Sequence, residues 1–245
     1  MTSSEPKHLS DVSTCWSLVR EAHDHSADQT SQARQTLLDR YRTAIERYFL
    51  GALKDPDAAE ELFHEFVVKF LRGDLHEASA DKGSFRAYLK TVLINLINDY
   101  HRGRQKQPLQ TLSQVDPVWT DDGEISLENC LREELLERTW ASLAAANAAH
   151  HAVLLMRVED PQATAREIGA RLPADIGGPL AAATARKALE RARTRFAVLL
   201  LDELLAIVEG QSGEQVRDEL KDLGLLPYCR IAFEKRFPDV DTSST

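Results

Sequence analysis

From Phe85 to Tyr100 the apolar side chains recur at steps of three and four residues: Phe85, Tyr88, Leu89, Val92, Leu93, Leu96, Ile97 and Tyr100. Only a helix, with 3.6 residues per turn, gathers such a series onto one side. A strand would turn half of it to water. The same period runs through the upstream segment AEELFHEFVVKFL, which starts at Ala59. Alternating strand-like runs do not occur elsewhere, and alanine and leucine dominate the periodic segments. The pattern therefore predicts an all-α fold.

Helix punctuation places the elements. One helix is predicted around Trp16, Leu18 and Val19, and a second from Ser31 to Leu53 with Leu37, Leu38, Tyr41, Ile45, Tyr48 and Phe49 inward. Asp55 followed by Pro56 starts the next, because Asp accepts orphan N–H bonds and Pro is tolerated in a first turn. It runs from Asp57 to Arg72, and Gly73 ends it. Ser84 is positioned to cap the aromatic and basic helix that follows. Between Gln105 and Leu127 the period fails, and Pro108, Pro117 and Asp121-Asp122-Gly123 read as linker. One apolar stripe then extends through LREELLERTWASLAAANAAHHAVLLMRV from Leu131. Thr164-Ala-Arg-Glu167 is a capping-box pattern for a short helix to Leu172. Pro173 to Pro179 breaks it, and a long helix spans Ala181 to Val208, with Gly210 at its end. Ser212-Gly-Glu-Gln215 opens a tail helix to Leu223, and the chain is expected to fray from Pro238.

With 245 residues, 43% of them apolar, the chain suffices for one large or two small cores. No apolar run approaches the roughly 20 residues needed to span a bilayer, and the first residues lack the apolar stretch of a secretory signal. Cys15, Cys130 and Cys229 are odd in number and far apart, which fits neither a zinc ribbon nor a disulfide framework. A reducing, cytoplasmic setting is expected. The net charge of −9 argues against nucleic acid until its distribution is considered. Between Asp81 and Lys106, six Lys/Arg against two Asp leave +4, and between Pro161 and Leu200 seven against three leave +4 again. Between Asp116 and Glu137, one Arg against eight acids leaves −7. Two basic modules thus flank an acidic strap, which is either solvated linker or a competitor of phosphate for the basic surfaces.

Both modules pair a core face with a cationic one. In the first, Arg86, Lys90, Asn95, His101, Arg102 and Arg104 oppose the apolar stripe, a mixture suited to phosphates and unstacked bases. In the second, Ala185, Leu189, Ala192 and Phe196 face inward. Thr184, Lys187, Arg191 and Arg195 lie on another side, flanked by Arg186 and Arg193. With the capped helix before it, this helix has the makings of a helix-turn-helix reader of the major groove. An ordinary solvated basic helix carries the same pattern. His150 and His151 point roughly 100° apart on a helix, and His23 and His25 have no further ligands nearby, so no metal is expected at either pair. No phosphate loop or nucleophile arrangement can be assembled, so neither catalysis nor a cofactor is expected.

The residues around Ala59-Glu60-Glu61-Leu62, Phe85-Arg-Ala-Tyr-Leu89, Asn95, Asp99 and Arg102 resemble the second conserved region of bacterial sigma-70-type transcription initiation factors. TAREIGARL followed by TARKALERARTRF, with Glu167-Ile168 and Arg191-Ala192-Arg193, is similar to the fourth region. The likeness spans about Trp16 to Leu225. It is nearest to the short extracytoplasmic-function (ECF) type, in a subgroup of planctomycete-like bacteria, through TCWSLVREA, GDLHEASADKGSFRAYL and EQVRDELKDL. The chain departs from the family at Glu61 and His64, where Asp and Gln are frequent, at Tyr88, where Trp is usual, and in an extended turn, PADIGGPLAAA.

This resemblance implies an N-terminal segment (1–30), a region 2-like domain (31–106), an acidic linker (107–130), a region 4-like domain (131–209) and a C-terminal helix with tail (210–245). It implies core RNA polymerase and promoter DNA as partners, an anti-sigma factor as a further candidate, and no membrane. Glu61, His64, Glu65, Val68 and Arg72 would dock on the polymerase clamp helices; paired carboxylates on a rigid helix suit a basic coiled coil. Tyr88, Asn95 and the 74–84 loop would take unstacked bases of the downstream element, and Lys90, Arg102 and Arg104 its phosphates, with Arg86 and His101 beside them. Thr184, Arg186, Lys187, Arg191 and Arg195 would read the upstream element. Tyr88 and Tyr100 also lie on the apolar stripe, where a core role competes. The alternatives are a DNA-binding regulator that does not engage polymerase and a helical adaptor that binds only protein. The tail helix, with Val216, Leu220, Leu223 and Leu225, is expected to pack on the second domain rather than bind a partner.

Overall fold

The computed structural model describes residues 27–72, 85–105, 125–208, 212–240 and 242. Among these residues the regular structure is helical and no strand occurs. The chain divides into two compact units, Met1–Leu131 with Val208–Gln211, and Arg132–Ile207 with Ser212–Thr245. The helix expected around Trp16, the caps at Gly73 and Ser84, the 74–83 loop, the stretch 106–124 and Gly210 lie outside the described residues.

The first unit is built on α1 (Ala27–Leu53), α2 (Pro56–Arg72) and α3 (Phe85–Gln105), each packed against the other two. α1 starts four residues before Ser31 and buries Leu38, Tyr41, Ile45, Tyr48 and Phe49 as their period requires. Lys54, with φ 53°, closes α1 in the left-handed conformation that commonly ends a helix. Asp55 Oδ1 then accepts N–H bonds from Asp57 (3.2 Å) and Ala58 (3.3 Å), which caps α2. α2 buries Leu62, Phe63, Phe66 and Phe70, and the last two rings stack with centroids 5.6 Å apart. α3 buries Leu89, Leu93, Leu96 and Ile97. Each such side chain contributes about 1.5–3 kcal/mol by leaving water.

The second unit holds most of α4 (Leu127–Ala146), then α5 (Ala148–Glu159), α6 (Ala165–Arg171), α7 (Ala182–Ile207), α8 (Gly213–Asp222) and α9 (Leu226–Arg236). The stripe from Leu131 runs unbroken in the sequence, yet it forms two helices. Asn147 stands between them in an extended conformation (φ −163°), and its Oδ1 accepts the His150 N–H at 2.8 Å. A side chain that caps so well competes with the helix that would run through it. The Thr164 box forms in full: Thr164 Oγ1 accepts the Glu167 N–H (3.3 Å), and Glu167 accepts the Thr164 N–H (2.6 Å). The Ser212–Gln215 box forms likewise. α9 is an element the sequence pattern does not separate from the tail. Pro227 stands in its first turn, and it packs on α7 and α8 through Cys229, Ala232 and Phe233.

The extended turn between α6 and α7 closes on itself. A short 3-10 turn (Ala174–Ile176) carries the chain outward, and the Leu180 N–H returns to the Gly169 carbonyl at 2.8 Å. The extra residues are looped out, and the two helices still pack together. Two glycines permit this by close approach. A Cβ on Gly169 would collide with the Leu180 carbonyl oxygen, and one on Gly178 with the Leu172 carbonyl oxygen. Below the turn, Leu143, Val153, Leu154, Ile168, Leu172, Leu189 and Ala192 form one apolar core, with Ile176 and Leu180 packed against it.

Chemical denaturation of the full chain tests these assignments. Gly169→Ala should destabilise the fold by about 1–3 kcal/mol, because the backbone it meets cannot yield as a side chain would. Thr164→Ala should cost about 1 kcal/mol through loss of the cap, and Leu189→Ala about 2–5 kcal/mol through the cavity it leaves. A Gly169→Ala chain as stable as the parent would contradict the closed turn.

Candidate functional site

Burial decides which side chains of α2 remain available. With Leu62, Phe63, Phe66 and Phe70 turned inward, Glu61, His64, Glu65, Val68 and Arg72 are all exposed on the outer side. Glu65 is tied to Lys69 one turn on, at 2.7 Å. Such a surface pair adds little stability. Val68 is 45% exposed and Leu71 37%, so the carboxylate stripe carries an apolar component.

At His64 this stripe borders a concavity shared with α1, which the sequence pattern alone does not reveal. The concavity, of about 300 Å³, lies between α1 and α2, bordered by Arg42, Glu46, Leu50, Phe63 and His64 among others. The Arg42 guanidinium lies 5.3 Å from the Phe63 ring centroid and pairs with Glu46 at 2.9 Å. The signal was Leu50, an apolar residue outside the inward set of α1 that stays 46% exposed.

On α3 the expected cationic face is only partly realised. Asn95, Arg102 and Arg104 are exposed, and His101 is half-buried. Arg86 departs from the expectation: it lies 6% exposed in the first turn of the helix, and its guanidinium Nη1 is buried with the stem. Its neighbours in sequence, Phe85 and Ala87, gave no hint of this. Lys90 is half-buried and its Nζ sits 3.4 Å from both Glu128 oxygens. That places an acid from the end of the acidic stretch on a candidate phosphate contact. Arg102 pairs with Asp99 at 3.2 Å. Arg104 donates to the Tyr100 hydroxyl, and its guanidinium lies 5.5 Å from that ring's centroid. Tyr88 is half-buried, and burial pushes its phenol up to about 12, so the hydroxyl keeps its proton at any physiological pH.

On α7 the two faces separate as their spacing requires. Ala185, Leu189 and Ala192 are buried and Phe196 partly so, with the Phe196 ring 4.9 Å from Trp140. Thr184, Arg186, Lys187, Arg191, Arg193 and Arg195 are all exposed. His150 of α5 faces this cationic side. Partial burial first, and then the Arg191 charge, hold its imidazole below the usual histidine range. His150 therefore stays neutral near pH 7 and adds no further positive charge there.

The comparisons with known proteins fall on the first unit. Residues 37–107 match the family model described as Sigma-70 region 2. That segment covers most of α1 and all of α2 and α3. The match supports a sigma-factor role and a place for this segment in the sigma-70 family. No curated protein and no solved structure matches the chain. Among the described residues, no helix is long and apolar enough to cross a membrane.

Two titrations follow from these surroundings. A histidine lowered in the fold binds its proton less readily than in the unfolded chain. The stability His150 contributes is therefore complete above pH 6.5 and declines as pH falls through that value. Arg191→Ala should move the His150 NMR titration part of the way back towards 6.5, leaving the burial component. No movement would show that the guanidinium does not act on the imidazole. For Tyr88 the sign is opposite, with stability lost as pH rises from 10 towards 12, and ultraviolet absorbance of the phenolate reports it.

Proposed function

We propose that this chain is a sigma factor of the ECF type, directing core RNA polymerase to promoters in the cytoplasm. The observation that carries the reading is the match of residues 37–107 to Sigma-70 region 2. The exposed stripe of α2 supports it, because it offers carboxylates and a hydrophobic spot on a rigid helix, the complement of a basic helical partner. In this reading Glu61, His64, Glu65, Val68 and Arg72 meet the polymerase clamp helices. The likeness to the planctomycete-type subgroup, and an anti-sigma factor as regulator, belong to the same proposal.

Promoter opening requires no catalytic group. It requires that bases leaving the stack be held, by stacking and by edge hydrogen bonds worth about 1–3 kcal/mol per base. Asn95 is the exposed amide for that task on α3, and Arg102 and Arg104 supply phosphate contacts. His101 lies beside them. Tyr88, half-buried, offers at most its ring edge and hydroxyl. Lys90 reaches phosphate only by leaving Glu128, and Arg86 supports the helix from within. In the second unit, α6 and α7 act as a helix-turn-helix with a looped-out turn. Thr184, Arg186, Lys187, Arg191 and Arg195 enter the groove of the upstream element.

Three variants test the assignment. Glu61→Lys with Glu65→Lys should weaken binding to purified core polymerase by about ten-fold or more while circular dichroism stays unchanged. Unchanged binding would remove this face from the interface. Lys187→Ala with Arg191→Ala should erase the upstream footprint of the holoenzyme and reduce its salt dependence by about one unit of slope for each phosphate no longer neutralised. Glu128→Gln should release Lys90 and raise non-specific DNA binding of the chain by about two- to five-fold at low salt, fading as salt screens the charge. Equal affinity would mean that Lys90 does not reach DNA.

A further inference from the structure

α9 hides one side and leaves the other uncovered. Cys229, Ala232 and Phe233 are buried against the second unit, whereas Tyr228 and Ile231 are each 67% exposed. These two stand three residues apart and therefore share a face. They form one wall of a groove of about 160 Å³, and Ala197 and Val198 of α7 form the other. Cations stand around its apolar floor: Arg193 from α7, and Arg230 and Lys235 from α9. Arg230 is held by Glu234 at 2.8 Å. Arg193 and Lys235 are exposed.

We propose that this groove docks an acidic amphipathic helix of a partner protein. The chemistry selects that occupant. An apolar floor with a cationic rim takes a helix that has aliphatic side chains on one stripe and carboxylates beside it. Tyr228 is the natural anchor, a large amphipathic ring held on a rigid helix. A second copy of this chain, placed by two-fold symmetry, would bring its own Arg193 and Lys235 against the same cations. Duplex DNA would satisfy the cations but not Tyr228 and Ile231, since phosphate contacts bury no apolar surface of that kind. The groove is separate from the polymerase-facing stripe of α2 and does not depend on it. α7 thereby serves two surfaces, a cationic one between Thr184 and Arg195 and this mixed one from Arg193 to Val198.

The test uses the full chain and a fluorescent synthetic helix with leucines on one face and glutamates elsewhere. Its control keeps the leucines and replaces every glutamate with lysine. Anisotropy should show binding of the acidic peptide and at least about ten-fold weaker binding of the basic one. Ile231→Glu and Tyr228→Ala should each weaken the acidic peptide by about ten-fold. Both residues are exposed, so the helical signal should not change. Lys235→Glu should weaken binding and flatten its salt dependence. The proposal is overturned by no binding, by equal binding of both peptides, or by binding indifferent to Ile231→Glu. It is also overturned if Ile231→Glu instead lowers affinity for duplex DNA, or dissolves a dimer seen in sedimentation.

Discussion

A helix can hide one face, and in this protein the choice of that face decides everything that remains available outside. α1, α2 and α3 each carry an apolar stripe broad enough to require burial, and three such stripes satisfy one another in a single core. Once Leu62, Phe66 and Phe70 are inside, the phase of α2 leaves Glu61, His64, Glu65, Val68 and Arg72 no other place than the surface. The exposed stripe of α2 is thus a geometric consequence of the core. The same rule operates on α7, where small side chains at Ala185 and Ala192 let neighbouring helices approach while the arginines stay in water.

Charge is organised at a finer scale than the net value suggests. The chain is acidic overall, yet exposed cations cluster on the end of α3, on α7 from Arg186 to Arg195, and on α9. Several are restrained by neighbours: Lys90 by Glu128, Arg102 by Asp99, and Arg104 by the Tyr100 ring and hydroxyl. Such exposed or half-exposed pairs contribute little to stability. The neutral His150 beside Arg191 keeps the α7 surface from gaining a charge near neutral pH.

Helix periods were legible because they rest on local spacing, and so were the caps at Asp55, Thr164 and Ser212, which follow from side-chain chemistry within four residues. The break at Asn147 was hidden because alanines on both sides favour continuation, and only the cap hydrogen bond reveals the stop. The Lys90–Glu128 pair was not legible, since it joins residues distant in sequence, and nothing in the spacing around Arg86 marked it as buried. The looped turn is similar: its length was visible, but not that the Leu180 N–H would close it onto Gly169. α9 was hidden by its weak period and by a proline that reads as a break in sequence and acts as a first-turn residue in the fold.

The central claim is that the first unit engages RNA polymerase. The most direct measurement is a pull-down of purified core polymerase with the full chain, followed by run-off transcription on genomic fragments. The account predicts a stoichiometric complex and transcripts from start sites that core polymerase alone does not use. A folded, helical protein that neither binds core nor directs new transcripts would contradict it. Salt-dependent DNA binding by that same protein would then mark a regulator that does not engage polymerase.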